Sequence, residues 1–364
     1  MSLQTATRPR DRHEQKLLVI RRRPRVPENA TFSDLPHFLN QGDLLIFNDA
    51  ATYPASLKAR TQGGQSIEVR LVAKNEDGSW QALVLGEGDW RIRTEDRPAP
   101  PRLGPKDVLF FGNHQSSDEK QSGTIVPDFA LPDARRFTAS IEAVSKFSNR
   151  FMTLRFEVSE QEMWKKIFEL GQPIQYSYLK EELSLWSVQT LYSSLPWASE
   201  MPSAGRPFTA ELLIKLARKG IEFATLTHAT GISSTGDEAL DEKLPLNERF
   251  FIPAKTIEAI GKAKNEGKRV VAVGTSVVRA LEGCYANHGA LHEGMGSTGI
   301  ILSATTKLCV VSGVISGIHD QSESHFRLLE AFAPREALIQ AAQFAQKYGY
   351  LQHEFGDSCL VLRS

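Results

Sequence analysis

Four polar clusters, each directly after an apolar run, are where this 364-residue chain could do chemistry: Asn48-Asp49, Thr227-His228, Gly274-Thr275-Ser276 and His319-Asp320. Open α/β sheets bind ligands outside the carboxyl ends of their strands, so four such ends on one sheet edge would form a single pocket. Histidine donates or accepts protons near neutral pH, and a neighbouring carboxylate can orient it or stabilise a cation. Each cluster also has a purely local reading. Asn48-Asp49 ahead of Pro54 fits an Asx turn, and a lone histidine after a strand is commonly a hydrogen-bonding loop residue.

The run 270–282 is the most informative. Val270-Val-Ala-Val273 reads as a buried strand, and Val277 to Ala286 has a helical period with Arg279 and Glu282 on one face. Unpaired N–H groups at that helix N-terminus, with the hydroxyls of Thr275 and Ser276, suit a carboxylate, a phosphate or another polar ligand group. An ordinary β-turn-α unit with Thr275 or Ser276 as N-cap fits the same residues. The glycine spacing and the missing lysine exclude a dinucleotide fingerprint and a P-loop.

Other chemistries find little support. His288 and His292 are four apart, but Gly289 and Gly294 argue against one helix carrying both. His319, Asp320, Glu323 and His325 match no recognised ligand spacing, so no metal is expected. There is no Gly-x-Ser-x-Gly elbow and no cysteine with a matched catalytic partner. Cys284, Cys309 and Cys359 are scattered, which implies no disulfide framework and a reducing, cytoplasmic setting. No apolar run approaches the ~18 residues of a membrane span, so no membrane association is expected. Lys plus Arg and Asp plus Glu balance at 43 each, so bulk charge selects no partner. Arg8 to Arg25, however, holds eight basic residues against Asp11 and Glu14. That segment suits either an RNA backbone or a solvated terminus.

The elements that must position these groups fall into two textures. The N-terminal part has strands at Lys16–Ile20 and within 43–49. From Ser66 to about Val158 come seven short segments: 66–73, 80–85, 90–93, 108–112, 123–126, 137–144 and 151–158. Their alternation and turn-rich spacing predict a small antiparallel barrel or sandwich, with a polar loop over 112–123. After Pro173 the pattern predicts helices at 209–219, 256–266, 323–332 and 336–348, with strands at 221–227, 270–273 and 308–315. The expected fold is α/β, a mixed sheet with packed helices, carrying an inserted small antiparallel β-barrel. The expected domains are 1–57 with 173–364, and 58–172 for the barrel.

Taken in order, several motifs resemble the S-adenosylmethionine:tRNA ribosyltransferase-isomerase family of queuosine biosynthesis, almost end to end. They are Asp43-Leu-Leu-Ile-Phe-Asn-Asp49 with Pro54-Ala55; Gln189-Thr190 with Tyr192; Pro202-Ser-Ala-Gly205 with Phe208-Thr209; Gly274-Thr275 through Arg279-Ala-Leu-Glu282; and Gly356-Asp357. The resemblance implies transfer and isomerisation of the ribosyl moiety of S-adenosylmethionine onto 7-aminomethyl-7-deazaguanine in tRNA, releasing adenine and methionine. S-adenosylmethionine would be the substrate, no metal would be needed, and tRNA would be the partner. On that basis His228 and His319 are assigned acid/base work or adenine contacts, and Asp49 and Glu248 orient the sulfonium or ribose. Asn48, Gly205, Gly274, Thr275, Ser276 and Arg279 would hold the cofactor.

The chain also departs from the family pattern. Ala50-Ala51 follow Asp49 where Thr-Arg is usual, Gly205-Arg-Pro-Phe208 replaces Gly-Leu-His-Phe, and Ser316-Gly-Ile-His319-Asp-Gln321 replaces Thr-Asn-Phe-His-Leu-Pro. Such losses motivate two alternatives: an enzyme using S-adenosylmethionine with another acceptor, or a non-catalytic RNA-binding paralogue.

Overall fold

The computed structural model describes residues 3–21, 26–112, 137–321 and 323–363. The predicted strand at 123–126, most of the 112–123 loop, and Arg22, Arg23 and Arg25 lie outside these residues. Strands β1 (Lys16–Arg21), β2 (Glu28–Thr31) and β3 (Leu44–Asn48) open the chain. They are followed by β4 (Ser56–Arg60), β5 (Ser66–Lys74), β6 (Trp80–Leu85), β7 (Val108–Phe111), β8 (Phe137–Val144) and β9 (Phe151–Phe156). Helix α1 (Glu160–Leu170) and helix α2 (Ala210–Arg218) lead into β10 (Glu222–His228) and β11 (Glu248–Ile252). Helix α3 (Ala254–Asn265), β12 (Val270–Val273), helix α4 (Thr275–His288), β13 (Gly294–Thr298) and β14 (Gly313–Gly317) come next. Helices α5 (Ser324–Leu329) and α6 (Arg335–Lys347) and strand β15 (Ser358–Leu362) complete it.

Nine strands form one mixed sheet in the order β13-β11-β10-β3-β12-β14-β15-β1-β2. Its centre, β10, β3, β12 and β14, is parallel throughout. Parallel strands are covered on both faces, which is why they read as unbroken apolar runs. Alternate residues feed opposite layers. Ile46, Val270 and Ala272 pack with Val277, Val278 and Leu281 of α4, whereas Leu45, Phe47, Val271 and Val273 pack with Phe208 and with Leu212 and Leu216 of α2. Thr209 caps α2 by accepting from Leu212 N at 3.2 Å, and Gly220, at φ +80°, follows its end.

Strands β8-β9-β6-β5-β4-β7 close into an antiparallel barrel. Leu57, Val69, Leu83, Leu109, Ala139 and Leu154 fill its core, and Met163 and Ile167 of α1 pack onto it. The α/β reading with an inserted barrel is therefore correct, with three local corrections. Residues 90–93 form a turn and not a strand, because Asp89 Oδ1 captures Arg91 N at 2.8 Å in an Asx turn. The strand expected at 308–315 begins only at Gly313. Ahead of it the buried Glu282 carboxylate accepts the N–H groups of Cys309, Val310 and Val311 at 2.8, 2.9 and 2.9 Å, so those amides cannot pair with a strand. Near the N-terminus Arg10, Arg12 and Lys16 are tied into the fold, against the solvated-terminus reading, while Arg8 is exposed. Arg10 pairs with Asp357 at 2.8 Å, Arg12 donates to Gln189 O at 3.2 Å, and Lys16 donates to Tyr348 O at 2.7 Å.

Candidate active site

Because β10, β3, β12 and β14 are neighbours and parallel, their carboxyl ends lie side by side. The four sequence-predicted clusters thus share one edge of one sheet. Asn48 joins three of them. Its Nδ2 donates to His228 O at 3.0 Å and to Ser276 Oγ at 3.3 Å, and its Oδ1 accepts from His228 N at 2.9 Å. The same Oδ1 accepts from Ala50 N at 3.1 Å, so the Asx-turn reading holds together with the cross-strand clamp. Beside it, Asp49 accepts from Thr227 Oγ1 at 2.6 Å.

Gly274, at φ +101°, turns the chain from β12 into α4. This left-handed region strains residues with a Cβ. Gly274 itself is the N-cap and Thr275 is already helical, with no side-chain cap, which corrects the expectation that Thr275 or Ser276 caps the helix. The N-cap therefore offers no side chain to the orphan N–H groups of the first turn. The turn Ser203–Gly205 lies against this point, since a Cβ on Gly274 would come within 3.6 Å of Ala204 Cβ. Gly205 is glycine for a packing reason, because a Cβ there would sit 1.9 Å from Tyr192 Oη.

His228, Glu248 and Arg279 form a buried polar group behind the clamp. His228 has no exposed surface, its Nε2 is 3.3 Å from Glu248 Oε2, and neither ring nitrogen has an aligned hydrogen-bond partner among the described residues. Burial, followed by the charge of Arg279, drives its pKa well below the usual histidine value, so the imidazole is neutral. Glu248 accepts Gly231 N at 3.0 Å through one oxygen and pairs with Arg279 through the other. Burial pushes the Glu248 carboxyl up, against the pull of Arg279 and of the Gly231 N–H, and the guanidinium keeps its proton. Arg279 and Glu282, expected on one face of α4, serve different partners, Glu248 and the 309–311 amides.

His319 lies just past β14. Its Nδ1 is 2.9 Å from Glu323 Oε2, its Nε2 is 3.2 Å from Ser316 Oγ, and its ring stacks on His325 at 4.6 Å and 10°. Against burial, the hydrogen bond to His319 holds the Glu323 carboxyl below its ordinary value. A carboxylate on one imidazole nitrogen fixes the tautomer and leaves the other nitrogen as the acid or base. His319, Glu323 and His325 each offer a donor atom, all within 4.8 Å of one another, so this trio is where a metal could be held. Both nitrogens of His319 are already engaged, by Glu323 and Ser316.

Sequence reasoning missed Ser316 and Glu200. Glu200, buried, is bonded by Tyr176 Oη, by Ser233 Oγ and by Ser233 N at 3.0 Å, and burial raises its pKa. It flanks the 229–233 loop opposite Glu248. Ser316 is the penultimate residue of β14, three positions before His319, whereas Glu200 reaches the site only through the distant Tyr176 and Ser233.

A parallel sheet edge that gathers a helix N-terminus, a histidine–carboxylate pair and a buried neutral histidine, beside a closed barrel, defines an α/β enzyme with an inserted β-barrel. More particularly, the chain belongs to the queuosine biosynthesis protein family, whose model matches residues 2–361. An S-adenosylmethionine:tRNA ribosyltransferase-isomerase of Thermus thermophilus is 31% identical over 366 residues, covering 99% of this chain and 95% of that one. The protein of that name from Acaryochloris marina is 32% identical, covering 99% and 89%. A crystal structure of S-adenosylmethionine tRNA ribosyltransferase from Thermotoga maritima shares the fold, with a TM-score of 0.51 at 24% identity over 98% of this chain and 96% of that one.

Proposed function

We propose that the chain is an S-adenosylmethionine:tRNA ribosyltransferase-isomerase, which moves the ribosyl moiety of S-adenosylmethionine onto 7-aminomethyl-7-deazaguanine in tRNA and releases adenine and methionine. The observation that carries this reading is the family match along residues 2–361, with the candidate pocket residues at its strand ends. We take residues 1–57 with 173–364 as the domain that holds the site and 58–172 as the inserted barrel domain.

The sulfonium of the substrate acidifies its neighbouring C–H bonds and is itself a leaving group. The chain's residues must therefore supply a base, a proton for adenine and anchoring for the methionine end. His319 is assigned the proton transfer, because Glu323 orients it and the side chain is partly open to solvent. His228, neutral and buried, is assigned a hydrogen bond to adenine through a ring nitrogen that finds no aligned partner among the described residues. Asp49 faces the sulfonium or ribose. Glu248, whose charge is matched by Arg279, orients the same region and steadies His228. Gly274, Thr275 and Ser276 bind the polar end of the methionine moiety at the N-terminus of α4, which Asn48 and Gly205 hold in place. No step requires a metal. Among the described residues no helix is long and apolar enough to cross a membrane.

The test is adenine release from S-adenosylmethionine, followed with and without tRNA carrying the precursor base. Release that depends on that tRNA, and its loss in His319→Ala, is expected. Release with no tRNA, or an unchanged rate in His319→Ala, would overturn the corresponding assignment.

A further inference from the structure

Between the barrel and the sheet lies a cavity of about 250 Å³ whose walls include Tyr53, Lys74, Trp80, Trp164, Trp197 and Arg249. They come from five parts of the fold: the link after β3, barrel strands β5 and β6, helix α1, the short strand Pro196–Ala198, and β11. Tyr53, Trp80 and Trp164 meet edge to face at centroid distances of 5.6 to 5.7 Å, which makes a stiff aromatic wall. Opposite, the Arg249 guanidinium lies 4.6 Å from the Trp197 ring centroid. Trp80 is 1% exposed, yet its indole N–H has no acceptor among the described residues, and neither does Arg249 Nε.

We propose that this cavity is a nucleobase subsite, which takes one unpaired base of an RNA substrate next to the base that the strand-end site modifies. The inference rests on the tRNA reading above. The volume falls below the ~300 Å³ at which pockets for drug-sized ligands begin, and so suits one ring system. Aromatic faces and an arginine plane stack any base, which is how single-stranded RNA is commonly held. The unmet groups, an indole N–H and a guanidinium N–H, are donors, and base edges present carbonyl and ring-nitrogen acceptors. Lys74 is paired with Glu160, so stacking and hydrogen bonding outweigh net charge here.

Position supports the same occupant. Glu248 and Arg249 are consecutive on β11 and point to opposite sides, one to the strand-end site and the other to the cavity. The cavity's 195–197 wall is also joined to the Asn48-Asp49 turn, because Ala51 N donates to Leu195 O at 2.7 Å and Ser194 N donates to Asp49 O at 2.7 Å. Adjacent nucleotides of one strand could then occupy the two sites.

The experiment titrates the full chain with nucleoside 5′-monophosphates and with a short unpaired RNA, reading intrinsic tryptophan fluorescence. The same measurements are made on Trp197→Ala and on Arg249→Met, whose site is partly exposed and less able to disturb folding. Saturable quenching is expected in the parent protein. Either substitution should weaken RNA binding about 5- to 150-fold, the range for one lost base stack. With tRNA, KM should rise while kcat and calorimetric S-adenosylmethionine binding stay near parent values. RNA affinity and tRNA KM unchanged in both variants would overturn the subsite. If no tRNA supports adenine release, the enzymatic reading fails by itself, and nucleotide quenching that Arg249→Met weakens with every tryptophan kept would still support the subsite.

Discussion

The pair Glu248–Arg279 gives the sharpest test of how the site is built. Their side chains are only 10% and 12% exposed, and His228 sits 3.3 Å from the same carboxylate oxygen. Replacing Glu248 by Gln keeps the shape and the acceptor for Gly231 N, but strands a buried cation that cannot shed its proton. Breaking a buried pair from one side costs about 3–5 kcal/mol. Arg279→Met strands the carboxylate instead. Glu248 can escape by protonation, so its cost should shrink as pH falls towards the ordinary carboxyl range and grow as pH rises. The double variant Glu248→Gln/Arg279→Met leaves no stranded charge and should recover most of the loss, so that it is destabilised by far less than the sum of the two single variants. Urea unfolding at constant m-value reads these differences, and adenine release reads the site. The double variant should be stable and inactive. Single variants that each lose under about 1 kcal/mol, or losses that simply add in the double variant, would refute the buried-pair reasoning.

Asn48→Ala removes the amide that joins β3 to β10 and α4, orphaning buried His228 N and O and Ala50 N. A loss of about 3 kcal/mol or more in urea unfolding, with adenine release abolished, is expected. Gly205→Ala drives a methyl into Tyr192 Oη and should cost about 1–3 kcal/mol in a thermal melt. Adding Tyr192→Phe, which deletes that oxygen, should restore part of it; no recovery would mean the backbone is the obstacle. His228 is held well below 6.5 by burial and then Arg279, and His325 is pushed down to about 3 by burial and then His319. Both raised-proton states belong to the unfolded chain, which binds more protons than the folded one below 6.5. The contribution of these two histidines should therefore fall as pH drops from about 6.5 towards 3, whereas Glu354, pushed up to about 7 by burial, acts in the opposite sense. The urea midpoint of His325→Phe should drop less between about pH 7.5 and about pH 5 than that of the parent, and an equal or larger drop would contradict it.

The chain alone determined the central strands and the clusters that end them. Val270–Val273 and the run from Leu44 to Phe47 are apolar without interruption because parallel strands are covered on both faces, and that demand is met by consecutive residues. Asn48, His228, Gly274 and His319 could be named because each follows such a run. The turn at 90–93 and the late start of β14 were misread, because a side-chain carboxylate claims backbone amides that periodicity counts as strand. Only the tertiary structure decided that Asn48 clamps its neighbours, that Glu248 shares Arg279 with a neutral His228, and that Glu323 orients His319. It alone assembled an aromatic cavity from five segments. Periodicity follows the backbone and is written locally, whereas these contacts depend on strand order, register and layer packing that bring residues up to about 230 positions apart within hydrogen-bonding reach.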